Sequence, residues 1–502
     1  MNQSLSVRAR AVPALVRWSP YIALLAAISF QALRPAAPFD DAYITFRYAR
    51  NLSEGMGFVY NPGQHVLGTT TPLFTALLAM AAFGLGSDAI PGAANLISLA
   101  SDLAAVLLLY HLAQRAFGSG LVALLLAIAY ALNPFRASVA TGGMEASLFT
   151  VLLLLSFERL VLSRSLIVGG ITAALAILAR PDAVLFLAPY FVYLGIRDRP
   201  FAVRAVLLTG LLLSPWLIWS VIYFGSPLPN SIVAKGHAYT FPAGFASCFL
   251  VAFLGTGVVQ PCWELPLLTV LPSSLGIAAV AIGLVHAVRR MPEFAALVAS
   301  GPVYLLALAV FNAPMFFPWY YYPALPSLLF GVVSAVWFLP NLSRRMRSAC
   351  AGMVLIAAIV SPAYHMAVTR PWPTSREREA VFRELCSTLN REVRPKDVVL
   401  APDIGVIGWC LAEAEIVDPI GLVSPAAIRF LGVDPDLRVI SPALVAASEP
   451  DYIVTVDQYM APLMVERERF VREYQQIWER EFSVSGDVQQ LLVFRRIELQ
   501  RR

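Results

Sequence analysis

The chain is almost without lysine. Two occur, Lys235 and Lys396, among 37 basic residues in 502, so arginine serves wherever a positive charge alone is needed. Charge is also scarce, at 14% of residues, where a soluble globular domain carries about a quarter. That excludes a wholly water-soluble body. The five cysteines stand in no metal-like spacing, which argues against a zinc finger or ribbon. Cys386 and Cys410 share one polar region and could pair. Walker, dinucleotide and zinc fingerprints are missing. The arginines form short clusters between apolar runs, with no basic stripe carrying interleaved aromatics, so nucleic acid is not an expected partner.

What is present is apolar length. Hydrophobic residues make up 58% and mean hydropathy is +0.69. More than half of the charged residues lie after Thr369. The expected fold is a polytopic α-helical membrane domain over 1–368, followed by a water-soluble mixed α/β domain over 369–502. Arg8, Arg10 and Arg17 precede the first apolar segment and place the N-terminus in the cytoplasm. That segment also has the outline of a signal peptide; we read it as an uncleaved anchor.

The remaining arginine clusters (Arg115; Arg159 and Arg164; Arg197, Arg199 and Arg204; Arg289 and Arg290; Arg344, Arg345 and Arg347) then fall inside. This requires about eleven spans, at 12–33, 90–112, 119–133, 146–163, 165–180, 183–196, 203–222, 265–287, 294–311, 321–339 and 349–366. The short runs 72–86 and 243–260 become interfacial, the first external loop covers 34–89, and the C-terminal domain is external. In that domain 376–393 reads as a helix, with strands near 397–401, 415–418, 451–456 and 490–495. Asp403-Ile404-Gly405-Val406-Ile407-Gly408 reads as a strand-to-helix turn whose glycines serve packing.

This topology gathers unusual residues on the external side. Asp40 and Asp41 directly follow the first apolar segment. Adjacent carboxylates raise one another's pKa unless a cation intervenes, which is how a general base or a cation site is built; an N-terminal helix cap is the plainer alternative. Lys235, the only lysine of the membrane part, sits in a proline-stiffened loop, Gly225-Ser226-Pro227-Leu228-Pro229-Asn230 onward. A compact ammonium there suits a phosphate, or is an ordinary snorkelling lysine. Glu145, after Gly142-Gly143, either caps a helix or joins the Asp pair around a divalent cation such as Mg or Mn, with Asp41 and Glu145 as ligands. Arg180-Pro181-Asp182 marks a tight external turn. Trp319-Tyr320-Tyr321-Tyr322 is an interfacial aromatic belt or a set of sugar-stacking rings. Asp102 lies within an expected span, where a carboxylate needs a partner or a proton.

The string DDAYITFRYARNLSEGMGFVYNPGQHVLGTTTPLFTALLA resembles the N-terminal signature of bacterial GT-C glycosyltransferases, in particular the terminal β-arabinofuranosyltransferase-like proteins. GGMEASLF, GSPLPNSIVAK, WYYYPALP and DIGVIGW resemble later landmarks of the same group. The resemblance implies a GT-C fold in a bacterial plasma membrane, with work on the cell envelope or cell wall. It implies inverting transfer from a polyprenyl-phosphate sugar to an external glycan, lipid or protein acceptor. An acid of the first external loop would be the base: Asp40 or Asp41, with Asp40 favoured as the residue nearer the membrane wall. Arg47, Glu145, Arg180, Asn230, Lys235 and Tyr321 are the candidate substrate contacts. GTTTP stands where relatives often carry a GYTSP-like string. The rival readings are a transporter or flippase of lipid-linked sugars, which would use intramembrane charge such as Asp102, and a structural assembly protein, which leaves the external acids unexplained.

Overall fold

Each of the eleven apolar runs expected to span folds around a helix. The computed structural model describes residues 14–32, 38–262, 270–369, 376–432, 439–484 and 487–497; Arg8 and Arg10 lie outside them. Among these residues five helices are long and apolar enough to cross a membrane: Ser87–Phe117, Arg199–Phe224, Ser273–Arg290, Pro292–Val310 and Arg344–Val368. Gly120–Ala131 and Pro134–Ala140 form a sixth candidate, bent by 56° where Asn133 and Pro134 break the ladder. Of the other expected spans, Leu166–Ala179 and Ala183–Arg197 are shorter apolar helices, and the first expected span is the 19-residue helix Ala14–Ala32. Pro72–Leu85 and Phe245–Thr256, read as interfacial, are short apolar helices too.

The helical part carries its own polar core. Asp102, the carboxylate within an expected span, is fully buried and ion-paired to the equally buried Arg136. Gln31 Nε2 and the Tyr322 hydroxyl also donate to it, at 2.8 and 2.7 Å. An unpaired charge at this depth would cost several kcal/mol, so these partners are what lets Asp102 stay. They also draw four segments together.

The C-terminal part is a five-stranded sheet in the order β2-β1-β3-β5-β4. The strands are β1 Val398–Leu400, β2 Glu415–Val417, β3 Tyr452–Val456, β4 Tyr474–Val484 and β5 Asp487–Arg496. β1 runs parallel to β2 and to β3, while β5 runs antiparallel to β3 and β4. β4, with Gln475, Gln476, Glu479 and Arg480 on it, lacks the apolar run that marked the other four, and was not expected. β3 is buried at every position, as a strand covered on both faces must be. The Cys386–Cys410 disulfide ties the helix Arg376–Glu392 to the helix Ile404–Cys410. A second disulfide joins Cys248 and Cys262.

The helix Asp40–Ser53 connects the two parts. Its two acids lie in the first turn and Arg50 in the last, so side-chain charge opposes the macrodipole at both ends. One face packs on Pro72–Leu85, another on Ile404–Cys410. The second contact is backbone-close. A Cβ on Gly405 would collide with the Asp40 carbonyl oxygen, and one on Gly408 with the Tyr60 hydroxyl. The two glycines thus serve packing, as expected of that turn.

Candidate active site

Two chambers meet at the N-terminal end of the Asp40–Ser53 helix. The larger, about 600 Å3, lies against the helical part and is walled by Glu145, Arg180, Asp182, Thr69 to Thr71, Tyr320 and the apolar Leu308 and Phe311. The smaller, about 280 Å3, lies against the sheet domain and is walled by Asp40, Arg378, Asp403, Tyr459 and several rings. Asp41, Ile44, Lys235, Tyr239, Trp319 and Leu422 line both. Asp41 and Lys235 therefore sit where the chambers join.

Lys235 is held on the short helix Asn230–Ala238, which follows Pro229. Its Nζ lies 3.9 Å from Asp41 Oδ2 and 4.7 Å from the centre of the Phe317 ring. The ring face favours a cation without neutralising it. Burial pushes the Asp41 carboxyl up and Lys235 pulls it back. At this separation the pair is in ionic contact but not locked by a short hydrogen bond, so a second anionic group could share the ammonium.

Asp40 is engaged differently. Its two carboxylate oxygens accept from Gly405 N and Val406 N at 3.0 and 2.8 Å. Burial lifts its pKa to about 7; the nearby Asp403 adds to the rise, and Arg378 opposes it. Arg378 itself donates to Asp403 at 2.6 Å. Asp40 thus pins the sheet domain to the first loop, and Asp41 is the member of the pair that faces both chambers.

Glu145 accepts from Arg180 Nη1 at 3.0 Å, and Arg180 Nη2 reaches Asp182 at 2.7 Å. The Tyr304 hydroxyl completes the group through Asp182, at 3.0 Å. The two expected cation ligands each meet a protein cation instead: Glu145 meets Arg180, and Asp41 meets Lys235. Among the described residues no group of three or more His, Cys, Asp or Glu side chains could hold a metal ion.

Three other candidates stand away from the chambers. Arg47 is fully buried and its donors are engaged by carbonyls: Tyr60 at 2.8 Å, Gly408 at 2.6 Å, Leu411 at 3.2 Å and Ala414 at 2.9 Å. It clamps the first loop to the sheet domain. Asn230 Nδ2 donates to the Gly421 and Leu422 carbonyls at 2.6 and 2.9 Å and so fixes the helix that carries Lys235. Tyr321 packs on Phe253, with ring centres 4.4 Å apart; its neighbour Tyr320 lines the chamber in its place. Sequence reading did not reach Arg378, Asp403 or Tyr459 as site residues; Asp403 had a signal only as the first residue of the DIGVIGW landmark, and Tyr320 only as a member of the Trp319–Tyr322 run.

Comparison with known proteins adds two findings. A family model described as a domain of unknown function, DUF8728, matches residues 372–494. No curated protein matches the chain by sequence. Among solved structures, the crystal structure of ArnT from Cupriavidus metallidurans in the apo state is similar at 13% identity and a TM-score of 0.55, covering 95% of this chain and 98% of that one. The likeness is one of fold: a helical part followed by a small C-terminal sheet domain.

Proposed function

We propose that the protein is an integral-membrane inverting glycosyltransferase that moves a sugar from a polyprenyl-phosphate donor to an acceptor hydroxyl outside the bacterial plasma membrane. The observation that carries this reading is the Asp41–Lys235 contact at the join of the two chambers. A base and a compact cation stand side by side, where the sugar and the phosphate of one donor have to part. The GT-C-like fold supports the reading, since this fold serves glycosyltransferases with lipid-linked donors.

In the proposed step the donor lies in the larger chamber, its lipid along Leu308 and Phe311 and its phosphate at Lys235. The Glu145–Arg180–Asp182 group presents hydrogen-bonding atoms to the sugar. The acceptor oxygen attacks the anomeric carbon from the face opposite the phosphate. The bond from that carbon to the phosphate oxygen breaks, and its electron pair leaves with the polyprenyl phosphate. The acceptor proton passes to Asp41. Lys235 stabilises the charge developing on the phosphate. Asp40 and Arg47 act through position, holding the sheet domain over the base.

Chain placement is consistent with an external site. Both disulfides, Cys248–Cys262 and Cys386–Cys410, fall in segments assigned to the outside, where disulfides persist. The free Cys350 stands beside the Arg344, Arg345 and Arg347 cluster assigned to the cytoplasm. Against the transporter reading, Asp102 is enclosed by Arg136, Gln31 and Tyr322 and is not open to a passing substrate.

The test is extraction of lipid that co-purifies with the protein, followed by mass spectrometry. A polyprenyl-phosphate sugar is expected, together with binding of farnesyl phosphate as a short donor mimic. Absence of both contradicts the proposal.

A further inference from the structure

The smaller chamber has a chemistry of its own. We infer that it is the acceptor subsite and that it takes one uncharged sugar ring; this rests on the glycosyltransferase reading above. The subsite would give the matched domain of unknown function its role, since Arg378, Phe382, Asp403, Tyr459 and Gln489 all come from that domain.

Size is the first argument. At about 280 Å3 the chamber is at the lower edge of small-molecule sites, which run from about 300 to 1,000 Å3. One ring fits, with any remaining glycan outside. The second argument is the lining. Trp319, Phe382 and Tyr459 supply flat apolar faces, while Asp403, Gln458 and Gln489 supply acceptors and donors between them. A sugar ring has that division, with apolar C–H faces and hydroxyls at the rim; carboxylate and amide groups match hydroxyls on neighbouring carbons.

Charge is the third argument. Arg378 is bonded to Asp403 and Lys235 faces Asp41, so both cations of the chamber have anionic partners. The third acid, Asp40, has both oxygens engaged by Gly405 N and Val406 N. A charged acceptor of either sign would have to displace one of these partners, which a neutral ring need not do. An extended peptide of several residues does not fit within about 280 Å3.

The experiment uses the full chain in lipid nanodiscs and ligand-observed NMR titration. The probes are neutral methyl hexopyranosides and methyl arabinofuranosides, methyl glucuronide, a serine- and threonine-containing peptide, and farnesyl phosphate. At least one neutral glycoside is expected to bind, with the glucuronide and the peptide at least tenfold weaker. Asp403→Asn and Gln489→Ala should each weaken the neutral glycoside about tenfold, as loss of one good hydrogen bond to a sugar does, and leave farnesyl phosphate affinity unchanged. Gln489→Ala keeps the Arg378–Asp403 pair, so it decides the matter if Asp403→Asn does not fold. Binding of farnesyl phosphate without any neutral glycoside overturns the subsite alone. Equal binding of glucuronide or peptide overturns its specificity, as do unmoved affinities in both variants. Failure of farnesyl phosphate itself to bind overturns the transferase reading beneath it.

Discussion

Lys235 Nζ stands 3.9 Å from Asp41 Oδ2, across the join between two chambers, although 193 intervening residues separate the two in sequence. Asp41 comes from the first turn of the first-loop helix and Lys235 from a helix set by Pro229 and Asn230. The contact therefore forms only once both loops are seated against the sheet domain.

The phosphate role of Lys235 is open to direct measurement. Lys235→Ala should weaken farnesyl phosphate binding by about tenfold or more, a charge-assisted contact being worth about 1.5–3 kcal/mol. Lys235→Arg should restore only part, because a planar fork cannot occupy the place of a point charge above Phe317. Undiminished binding in Lys235→Ala would remove the assignment.

Arg47 is expected to matter through folding. Arg47→Ala strands the buried carbonyls of Tyr60, Gly408 and Ala414 and should cost about 3 kcal/mol or more. Arg47→Lys should not recover it, since one ammonium cannot reach every acceptor. Thermal unfolding in detergent reads this out; a melting temperature equal to wild type would show that the clamp contributes nothing.

Asp40 predicts a pH dependence. Its folded pKa is raised, from 3.8 to about 7, chiefly by burial. The stability linked to it is fully present below the unfolded pKa, declines as pH rises above that value, and is lost once pH passes the folded pKa. Wild type should therefore lose melting temperature between about pH 4 and pH 7. Asp40→Asn, which cannot ionise, should show a shallower slope over the same window. Parallel slopes would mean that Asp40 is not the group titrating.

Topology gives a fourth expectation. In a Cys350→Ser background the native cysteines are all in disulfides. Glu54→Cys and Ser387→Cys should then react with an impermeant maleimide in intact cells, and Ser343→Cys only after permeabilisation. Reaction of Ser343→Cys in intact cells, or silence at Ser387→Cys, would reverse the assigned sides.

Much of this was legible in the sequence, for identifiable reasons. Apolar runs and arginine clusters report helices because the bilayer admits little else, and each of the eleven runs did fold around a helix. The acid pair, Glu145 and Lys235 stood out because charge is rare in the membrane part, and all four residues line the chambers. Arg47 misled for the same reason: it is a lone charge near the pair, but three of the four carbonyls named above as its partners lie more than 350 residues later, which no local pattern announces. Asn230 and Tyr321 belong to recognisable strings, yet a string does not say which way a side chain points; Tyr320, one residue earlier, faces the cavity. Arg378 was hidden among the many arginines of an ordinary polar helix. Asp102 needed Arg136 and Tyr322, partners from other helices, before its burial made sense.

The central claim is that Asp41 is the base at the join of the two chambers. The most direct measurement is single-turnover transfer from the co-purified lipid-linked sugar by purified Asp41→Asn, with farnesyl phosphate affinity measured on the same sample. The substitution keeps the shape and removes the basicity. Turnover should fall by about 10²–10⁴-fold with donor-mimic binding retained. Near-normal turnover in Asp41→Asn would contradict the account and move the search for a base to Asp40 or Glu145.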